Sequence, residues 1–362
     1  MAVPTLCLGL FGACVPNRGV PASGGIDGRV LSSPVEQFDA LWARFRDVYP
    51  AFAYKQVDWD QQRARFRPRA ERARSQDELI LVLRSMLAPL RDRHIWFIDP
   101  RGDIVPTYRP VALENFDRAR WERTMRSVGY VARSRELGDA TIGPFSYLYI
   151  GSWRAPIDTL MLDQQLERAR EAPGLILDLR TNAGGSDATA LAFARRFIRL
   201  AFAASYVQIR TEARDVELPL ERTIRPRGSW QYTRPVVVIA GRGGLSATES
   251  FVAALRTLPH VAVIGDTTGG ASGNPVTVSL GNGWRYTVPR WMEFGPDRKP
   301  IEWRGVAPHV AIAWRPNDYD DDRDPLIDAA VGILGERLGA YRIAPVEPEP
   351  ARREGFGHDV RY

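Results

Sequence analysis

Residues 235–265 read PVVVIAGRGGLSATESFVAALRTLPHVAVIG. An apolar run leads into a glycine-rich turn, a segment with helical spacing opens at Ser246, and a second apolar run follows. Short apolar runs bounded by turns predict buried strands, and apolar residues three and four apart predict a helix between them. Because strand–helix–strand units build parallel or mixed sheets covered by helices, this stretch predicts an α/β fold.

The same alternation extends along the chain on both sides of this stretch. The predicted strands are 147–150, 174–179, 235–240 and 261–264, and the predicted helices are 157–169, 188–200, 248–257 and 325–338. Residues 276–280 and 284–288 flank Gly281-Asn282-Gly283, a pattern typical of a hairpin. Residues 104–141 have no clear period and are interpreted as irregular strands.

The N-terminal part has a helical pattern instead. Apolar side chains recur at helical spacing over residues 34–90, as at Phe38, Leu41, Trp42 and Phe45. A further helix is expected to begin near Ser75, with Glu78 placed for a capping box. We therefore predict four parts: a signal-like segment and tether at 1–30, a small helical subdomain at 31–100, an α/β core at 101–343 and a loose tail at 344–362.

Composition excludes several classes of function. The chain has 362 residues with a net charge of +6, carried by scattered arginines, so nucleic acid is not an expected partner. It has four histidines and two cysteines, Cys7 and Cys14, which argues against a disulfide framework and a metal centre. We expect neither a metal nor another cofactor. Lys55 and Lys299 are the only lysines.

The first fourteen residues form a short apolar run that ends Leu-Phe-Gly-Ala-Cys at Cys14. This ending resembles a bacterial lipoprotein cleavage box, so Cys14 is a candidate lipid anchor. We accordingly expect an exported protein at the periplasmic or extracellular face of a bacterial membrane. The alternative is a disordered, mildly apolar N-terminus, because the run lacks the positive charge that begins a signal peptide.

Ser246 is the first candidate catalytic residue. A serine between a glycine turn and a helix start lies at the positive end of the helix dipole, beside backbone N–H groups that lack helical partners. Such amides suit a developing oxyanion. However, Ser246 and Glu249 also match an ordinary capping box with no catalytic role, and the glycines after residues 174–179 also match a plain strand-to-helix turn.

Five segments taken in order resemble the tail-specific, or C-terminal processing, serine peptidases, in the branch typified by the tricorn core. They are Leu-x-Asp-x-His at 90–94, Asp-Leu-Arg-x-Asn-x-Gly-Gly at 178–185, a Ser-Ala-x-Glu start at 246–249, Ile-Gly-Asp-x-Thr-x-Gly at 264–270 and Ile-Glu-x-x-Gly-Val-x-Pro at 301–308. The resemblance implies a ClpP/crotonase-like mixed sheet with helices. It implies no PDZ domain here, because residues 95–146 lack its glycine-led start.

The resemblance also implies a site, transferred position by position. Ser246 would be the nucleophile, His94 the base and Glu302 the residue that orients His94. The oxyanion donors would be the N–H groups of Ala247 and of Gly184 or Gly185. One branch of the family uses a lysine base, but Ala271 occupies that position, so this branch is set aside. His309 is a weaker candidate for the base.

The predicted function is peptide-bond hydrolysis through an acyl-enzyme, with a peptide or unfolded protein as substrate. Two alternatives stay open at this point. One is a catalytically silent peptide- or lipid-binding protein of the same fold, and the other is an esterase that acts on small substrates.

Overall fold

The computed structural model describes residues 33–110, 115–210, 219–312 and 323–343. The predictions for the signal-like segment, for Cys14 and for the tail at 344–362 lie outside these residues. In the described part the helices are α1 (Pro34–Val48), α2 (Trp59–Glu71), α3 (Gln76–Leu87), α4 (Arg118–Ser127), α5 (Thr159–Arg168), α6 (Asp187–Ala194), α7 (Ala247–Arg256) and α8 (Pro325–Ile343). A 3₁₀ turn, Ala88–Leu90, follows α3.

The strands make up three sheets. They are β1 (Trp96–Ile98), β2 (Ile104–Pro106), β3 (Val131–Ser134), β4 (Leu137–Ile142), β5 (Phe145–Ile150), β6 (Leu175–Asp178), β7 (Phe202–Ile209), β8 (Leu220–Ile224), β9 (Val236–Ala240), β10 (Val261–Gly265), β11 (Val276–Gly281), β12 (Trp284–Val288), β13 (Trp291–Phe294) and β14 (Val310–Ala311). The largest sheet has the order β14-β10-β9-β6-β5-β4-β3, and the two smaller ones are β11-β12-β1-β2 and β13-β7-β8.

The largest sheet is parallel from β14 to β5 and antiparallel from β5 to β3. Its strands β6, β9 and β10 are buried along their whole length. Helices α5, α6 and α7 cover one face, where Leu166, Phe193 and Phe251 join one apolar cluster. Helices α4 and α8 cover the other face through Trp121 and Leu326. The predicted α/β fold with a mixed sheet is confirmed.

The N-terminal helices pack on the sheet that contains the hairpin. Phe38 and Phe45 of α1 lie in the same buried cluster as Tyr286 and Val288 of β12. The core of the helical part is therefore completed by a segment from much later in the chain. This packing brings the residues just before β1 to the loops of the large sheet, which is where the candidate catalytic residues lie.

Most predicted elements are present with small shifts at their ends. The helix predicted at 188–200 is too long, because it ends at Ala194 and the amides of Arg196 and Phe197 then make tighter i→i−3 bonds. The region 104–141 contains α4 as well as strands. Because α4 buries few apolar side chains, its sequence shows no clear helical period of apolar residues. None of the helices in the described part is long and apolar enough to cross a membrane.

Candidate active site

Ser246 lies at the junction between β9 and α7, where the glycine turn ends. Its backbone has φ 56° and ψ −124°, a conformation that non-glycine residues rarely adopt. Holding a residue there costs about 1–3 kcal/mol, and such strain is concentrated at functional sites. A serine on a sharp strand-to-helix turn presents its hydroxyl at the end of the sheet, which is the arrangement of a nucleophile elbow.

The side chain of Glu249 stabilises this turn through hydrogen bonds. Its fully buried carboxylate accepts hydrogen bonds from the N–H of Ser246 (3.1 Å), the hydroxyl of Thr268 (2.6 Å) and the N–H groups of Gly270 (2.7 Å) and Ala271 (2.8 Å). Burial raises the pKa of Glu249 to about 7, although the four donors oppose that shift. Glu249 therefore does more than cap α7, because it ties the start of that helix to the loop at 268–271.

The second glycine turn lies directly against Ser246. A Cβ atom placed on Gly184 would be 2.8 Å from Cβ of Ser246 and 3.3 Å from the amide nitrogen of Ala247. Buried Asn182 shapes this turn, since its side chain accepts from the Gly184 N–H (2.9 Å) and donates to the Ile150 carbonyl (3.1 Å). The Gly184 amide is consequently engaged by Asn182 in this structure.

His94 lies between the 3₁₀ turn and β1, and only 8% of its surface is exposed. Its N–H donates to Oδ1 of Asp92 (2.8 Å), and its carbonyl accepts from the Thr287 hydroxyl (2.7 Å). The imidazole Nδ1 is buried and accepts or donates no hydrogen bond among the described residues. Burial lowers the pKa of His94, while the charge of Asp92 and the backbone of Ser272 oppose this effect. A neutral imidazole at neutral pH can accept a proton.

Glu302 is buried, and its carboxylate is engaged by residues other than His94. Oε1 accepts from Nζ of Lys55 (2.6 Å), and Oε2 accepts from the N–H (2.9 Å) and the hydroxyl (3.3 Å) of Ser272. Burial, reinforced by the charge of Asp92, raises the pKa of Glu302 to about 8. A direct Glu302–His94 hydrogen bond, which the resemblance implied, is not present in the described part of the chain.

The predicted residues lie on either side of the loop at 268–273. The Ser246 N–H donates to the Ala271 carbonyl (3.0 Å), and a Cβ on Gly273 would be 3.7 Å from Nδ1 of His94. In the described part of the chain, no hydrogen bond joins His94 to Ser246 or to Glu302. Contacts of this kind are often long without substrate and tighten in the complex.

His309, the competing base, has a structural role instead. Its Nδ1 accepts from the Val263 N–H (3.0 Å), and its own N–H donates to the Val263 carbonyl (2.7 Å). The ring therefore pairs with the backbone of β10. Among the described residues, no group of three or more His, Cys, Asp or Glu side chains is arranged to hold a metal ion.

The Asp-Leu-Arg motif also has a structural role. The Arg180 guanidinium is fully buried and lies 2.7 Å from Asp178 and 2.8 Å from Asp324, at the start of α8. Tyr147 donates to the same Asp178 carboxylate (2.8 Å). This ion cluster fixes the end of β6 against α8, and its neighbour Asn182 reaches the site.

Sequence reasoning missed three polar residues of this network: Lys55, Asp92 and Ser272. The motifs assign no role to Lys55, yet its side chain is completely buried at the site. The available signal was its rarity, since a chain with 49 basic residues uses lysine only twice. Lysine presents a compact charge that reaches two separate carboxylates, whereas the planar arginine fork favours bidentate pairing.

Two family models match the chain. Peptidase family S41 matches residues 145–312, and the tricorn protease C1 domain matches residues 34–88. The first match contains Ser246 and Glu302 together with both glycine turns, and the second covers the N-terminal helices. His94 lies between the two matched regions.

Several known proteins are similar over large parts of the chain. A solved structure of a candidate peptidase from Parabacteroides merdae has 30% identity and a TM-score of 0.73, covering 84% of this chain and 97% of that one. Tricorn protease homolog 1 of Streptomyces coelicolor is 29% identical over 239 residues, which is 64% of this chain and 20% of that protein. The carboxy-terminal processing protease CtpA of Bacillus subtilis is 27% identical over 180 residues, covering 49% of this chain and 35% of the relative.

This chain accordingly spans about a fifth of the tricorn homologue and about a third of CtpA. The near-complete match is to the Parabacteroides structure, of which this chain covers 97%. With the family models, the shared fold and the ordered motifs in agreement, the chain belongs to peptidase family S41, the tail-specific and tricorn-like serine peptidases.

Proposed function

We propose that this protein is a serine endopeptidase in which Ser246 is the nucleophile and His94 the general base. The observation that carries the proposal is the strained backbone of Ser246 at a strand-to-helix turn, packed against a glycine turn. A serine hydroxyl needs a base to take its proton, and a histidine with a lowered pKa suits that role near neutral pH.

In the proposed reaction, the Ser246 oxygen attacks the peptide carbonyl while His94 accepts the hydroxyl proton. His94 then gives this proton to the leaving amine, which departs and leaves an acyl-enzyme. Water, deprotonated by His94, attacks the ester carbonyl; the bond to the Ser246 oxygen then breaks, His94 returns the proton to that oxygen, and the second peptide is released. The sequence of steps needs no cofactor, because the same imidazole donates and accepts the proton.

The oxyanion that forms in each step needs donors beside Ser246. Ala247 begins α7, so its N–H has no partner within the helix, and the Gly185 N–H is likewise free of any hydrogen bond in the described structure. We assign these two amides to the oxyanion hole. Gly184 supports them through its close approach to Ser246, not through its own N–H.

Glu302 is proposed to act on His94 indirectly. Its Oε2 holds the Ser272 N–H, and the Ser272 backbone favours the charged form of His94. Its Oε1 holds Lys55, which in turn contacts Asp92 beneath His94. Glu302 would therefore favour the imidazolium through Ser272, while Lys55 holds Asp92, whose own charge also favours the imidazolium.

A fluorophosphonate probe tests the nucleophile. We expect wild-type protein to be labelled on the peptide that contains Ser246, and Ser246→Ala to be unlabelled. Equal labelling of both proteins, or none of the wild type, would remove Ser246 from the role of nucleophile and favour the silent binding protein. Ser250→Ala, in which the altered side chain is bound to Glu293 (2.8 Å), is the matched control and should be labelled.

Cleavage assays then separate peptidase from esterase. We expect unstructured polypeptides to be cut internally, with acyl-enzyme on Ser246 trapped by acid quenching. Rapid turnover of nitrophenyl esters together with intact polypeptides would favour the esterase instead. Peptides with free and amidated C-termini, compared directly, show whether the tail of the substrate is recognised.

We further propose that the protein acts outside the cytoplasm, attached through a lipid on Cys14. Support comes from the apolar run that ends at Cys14, which lies outside the described residues. In a bacterial host fed an alkyne fatty acid, the full chain should incorporate label and Cys14→Ala should not. Unlabelled protein in the soluble fraction would overturn this attachment.

A further inference from the structure

Lys55 lies in the connection between α1 and α2, yet its ammonium group is at the candidate active site. Nζ is 2.6 Å from Oε1 of Glu302 and 3.3 Å from Oδ2 of Asp92, and the side chain has no exposed surface. The rings of Tyr49 and Trp303 lie 5.8 and 5.1 Å from the same nitrogen. A buried cation with two carboxylates and aromatic walls is costly to desolvate, and removing one partner of such a network leaves an uncompensated buried charge.

Each of the two carboxylates also accepts a hydrogen bond from the backbone near a proposed catalytic residue. Asp92 uses its other oxygen to accept the His94 N–H (2.8 Å), which fixes the backbone that carries the imidazole. Glu302 uses its other oxygen to accept the Ser272 N–H (2.9 Å). The preceding residue, Ala271, accepts the Ser246 N–H (3.0 Å). One ammonium group thus connects the backbone of the base to the backbone of the nucleophile.

We propose that Lys55 is a positioning residue, which holds Asp92 and Glu302 together and so sets the placement of His94 relative to Ser246. This inference rests on the proposed function. Lys55 does not touch the reacting atoms. The N-terminal helical part therefore contributes to the site, because the connection after α1 supplies the buried cation that contacts both carboxylates.

The charges around the site explain why the ammonium matters. His94 is influenced by Asp92, Arg93 and Lys55, and Glu302 by Asp92 and Lys55. The phenol of Tyr49 faces both carboxylates, and that of Tyr54 faces Glu302. Asp92 raises the pKa of Glu302 and Lys55 lowers it, so removal of Lys55 would strengthen proton binding by Glu302 and change the spacing of the two carboxyl groups.

Loss of the cation also changes the protonation of His94. The Lys55 charge lowers the pKa of His94, so its removal raises that pKa. A purely structural lysine would alter stability without moving the pH dependence of the reaction. The pH profile therefore distinguishes a positioning role from a structural one.

The experiment compares Lys55→Met with wild type in the full chain. The readout is the rate of fluorophosphonate labelling of Ser246 from pH 5 to 9. We expect the plateau rate to fall roughly 100-fold, the size of effect that a small misplacement of catalytic groups produces, and the midpoint of the rising limb to move to higher pH. Lys299→Met removes the other lysine, which is exposed beside Asp297 (3.6 Å), and should match wild type.

Lys55→Met/Glu302→Gln covers the case in which the single variant does not fold. It leaves one buried carboxylate in place of two, so it should fold better while remaining slow. A folded variant of either kind with the wild-type rate and pH midpoint overturns the inference, as does a lowered rate with an unmoved midpoint. These outcomes are separate from failure of the proposed function, which would appear as unlabelled Ser246 in the wild type.

Discussion

Gly184 and Ser246 approach so closely that no side chain fits between them. A Cβ on Gly184 would lie 2.8 Å from Cβ of Ser246 and 2.7 Å from the Leu245 carbonyl oxygen. The backbone of Gly184 has φ 94°, which side-chain-bearing residues rarely adopt. The glycine turn is therefore required by contact with the proposed nucleophile as well as by its own conformation.

We predict that Gly184→Ala displaces Ser246 and abolishes fluorophosphonate labelling. The overlap and the backbone strain should together lower the free energy of unfolding by about 2–4 kcal/mol, as measured by urea denaturation. Gly335→Ala in α8 is the matched control, because its added Cβ meets no atom within 4 Å. It should retain labelling and gain about 0.5–1 kcal/mol of stability. Full labelling of Gly184→Ala would show that the contact is dispensable.

We predict that Glu249 makes the protein less stable as pH rises through neutrality. Its pKa is about 7 when folded against a reference of 4.5, so the folded state holds its proton more tightly. This contribution is fully present below pH 4.5 and is lost as pH rises toward 7, amounting to about 3 kcal/mol. Urea denaturation between pH 4.5 and 8 should show a steeper decline in wild type than in Glu249→Gln. Parallel curves would mean that the four donors keep Glu249 ionised throughout.

The large sheet could be predicted because its central strands are buried on both faces. Strands β6, β9 and β10 consequently appear in the sequence as continuous apolar runs with glycine turns after them. The sheet β13-β7-β8 was not predicted, since β8 is mostly exposed and has no clean alternation. Periodicity identifies strands only where burial is regular.

The sequence could predict which residues belong to the candidate site, but it could not predict which of them contact one another. Ser246 and the glycine turns are local in sequence, so their motifs indicate their positions directly. Lys55 and Glu302 are separated by 247 positions, and no local pattern predicts that they meet. Their contact depends on the packing of α1 against β12, a tertiary feature. For the same reason the motif suggested a Glu302–His94 bond where the structure has an intervening network.

We predict that the reaction has a low-pH limb set by His94. The neutral imidazole is the proposed base, and burial lowers its pKa, so the rate should rise with pH and level off with a midpoint below 6.5. The pH dependence of kcat/KM for a peptide substrate measures this midpoint. His94→Gln should remove activity, whereas His309→Gln should keep it because that ring pairs with the β10 backbone. A midpoint above 7 would argue against His94 as the base.

We predict that Arg180 supports the fold without taking part in catalysis. Arg180→Met leaves Asp178 and Asp324 buried without their cation, which should cost about 3–5 kcal/mol in urea denaturation. The folded fraction should still label Ser246 at the wild-type rate, since Arg180 contacts neither Ser246 nor His94. Arg170→Met removes an exposed pair with Glu167 (3.0 Å) and should cost less than about 1 kcal/mol. If Arg180→Met folds normally but labels slowly, the Asp-Leu-Arg motif belongs to the reaction as well as to the core.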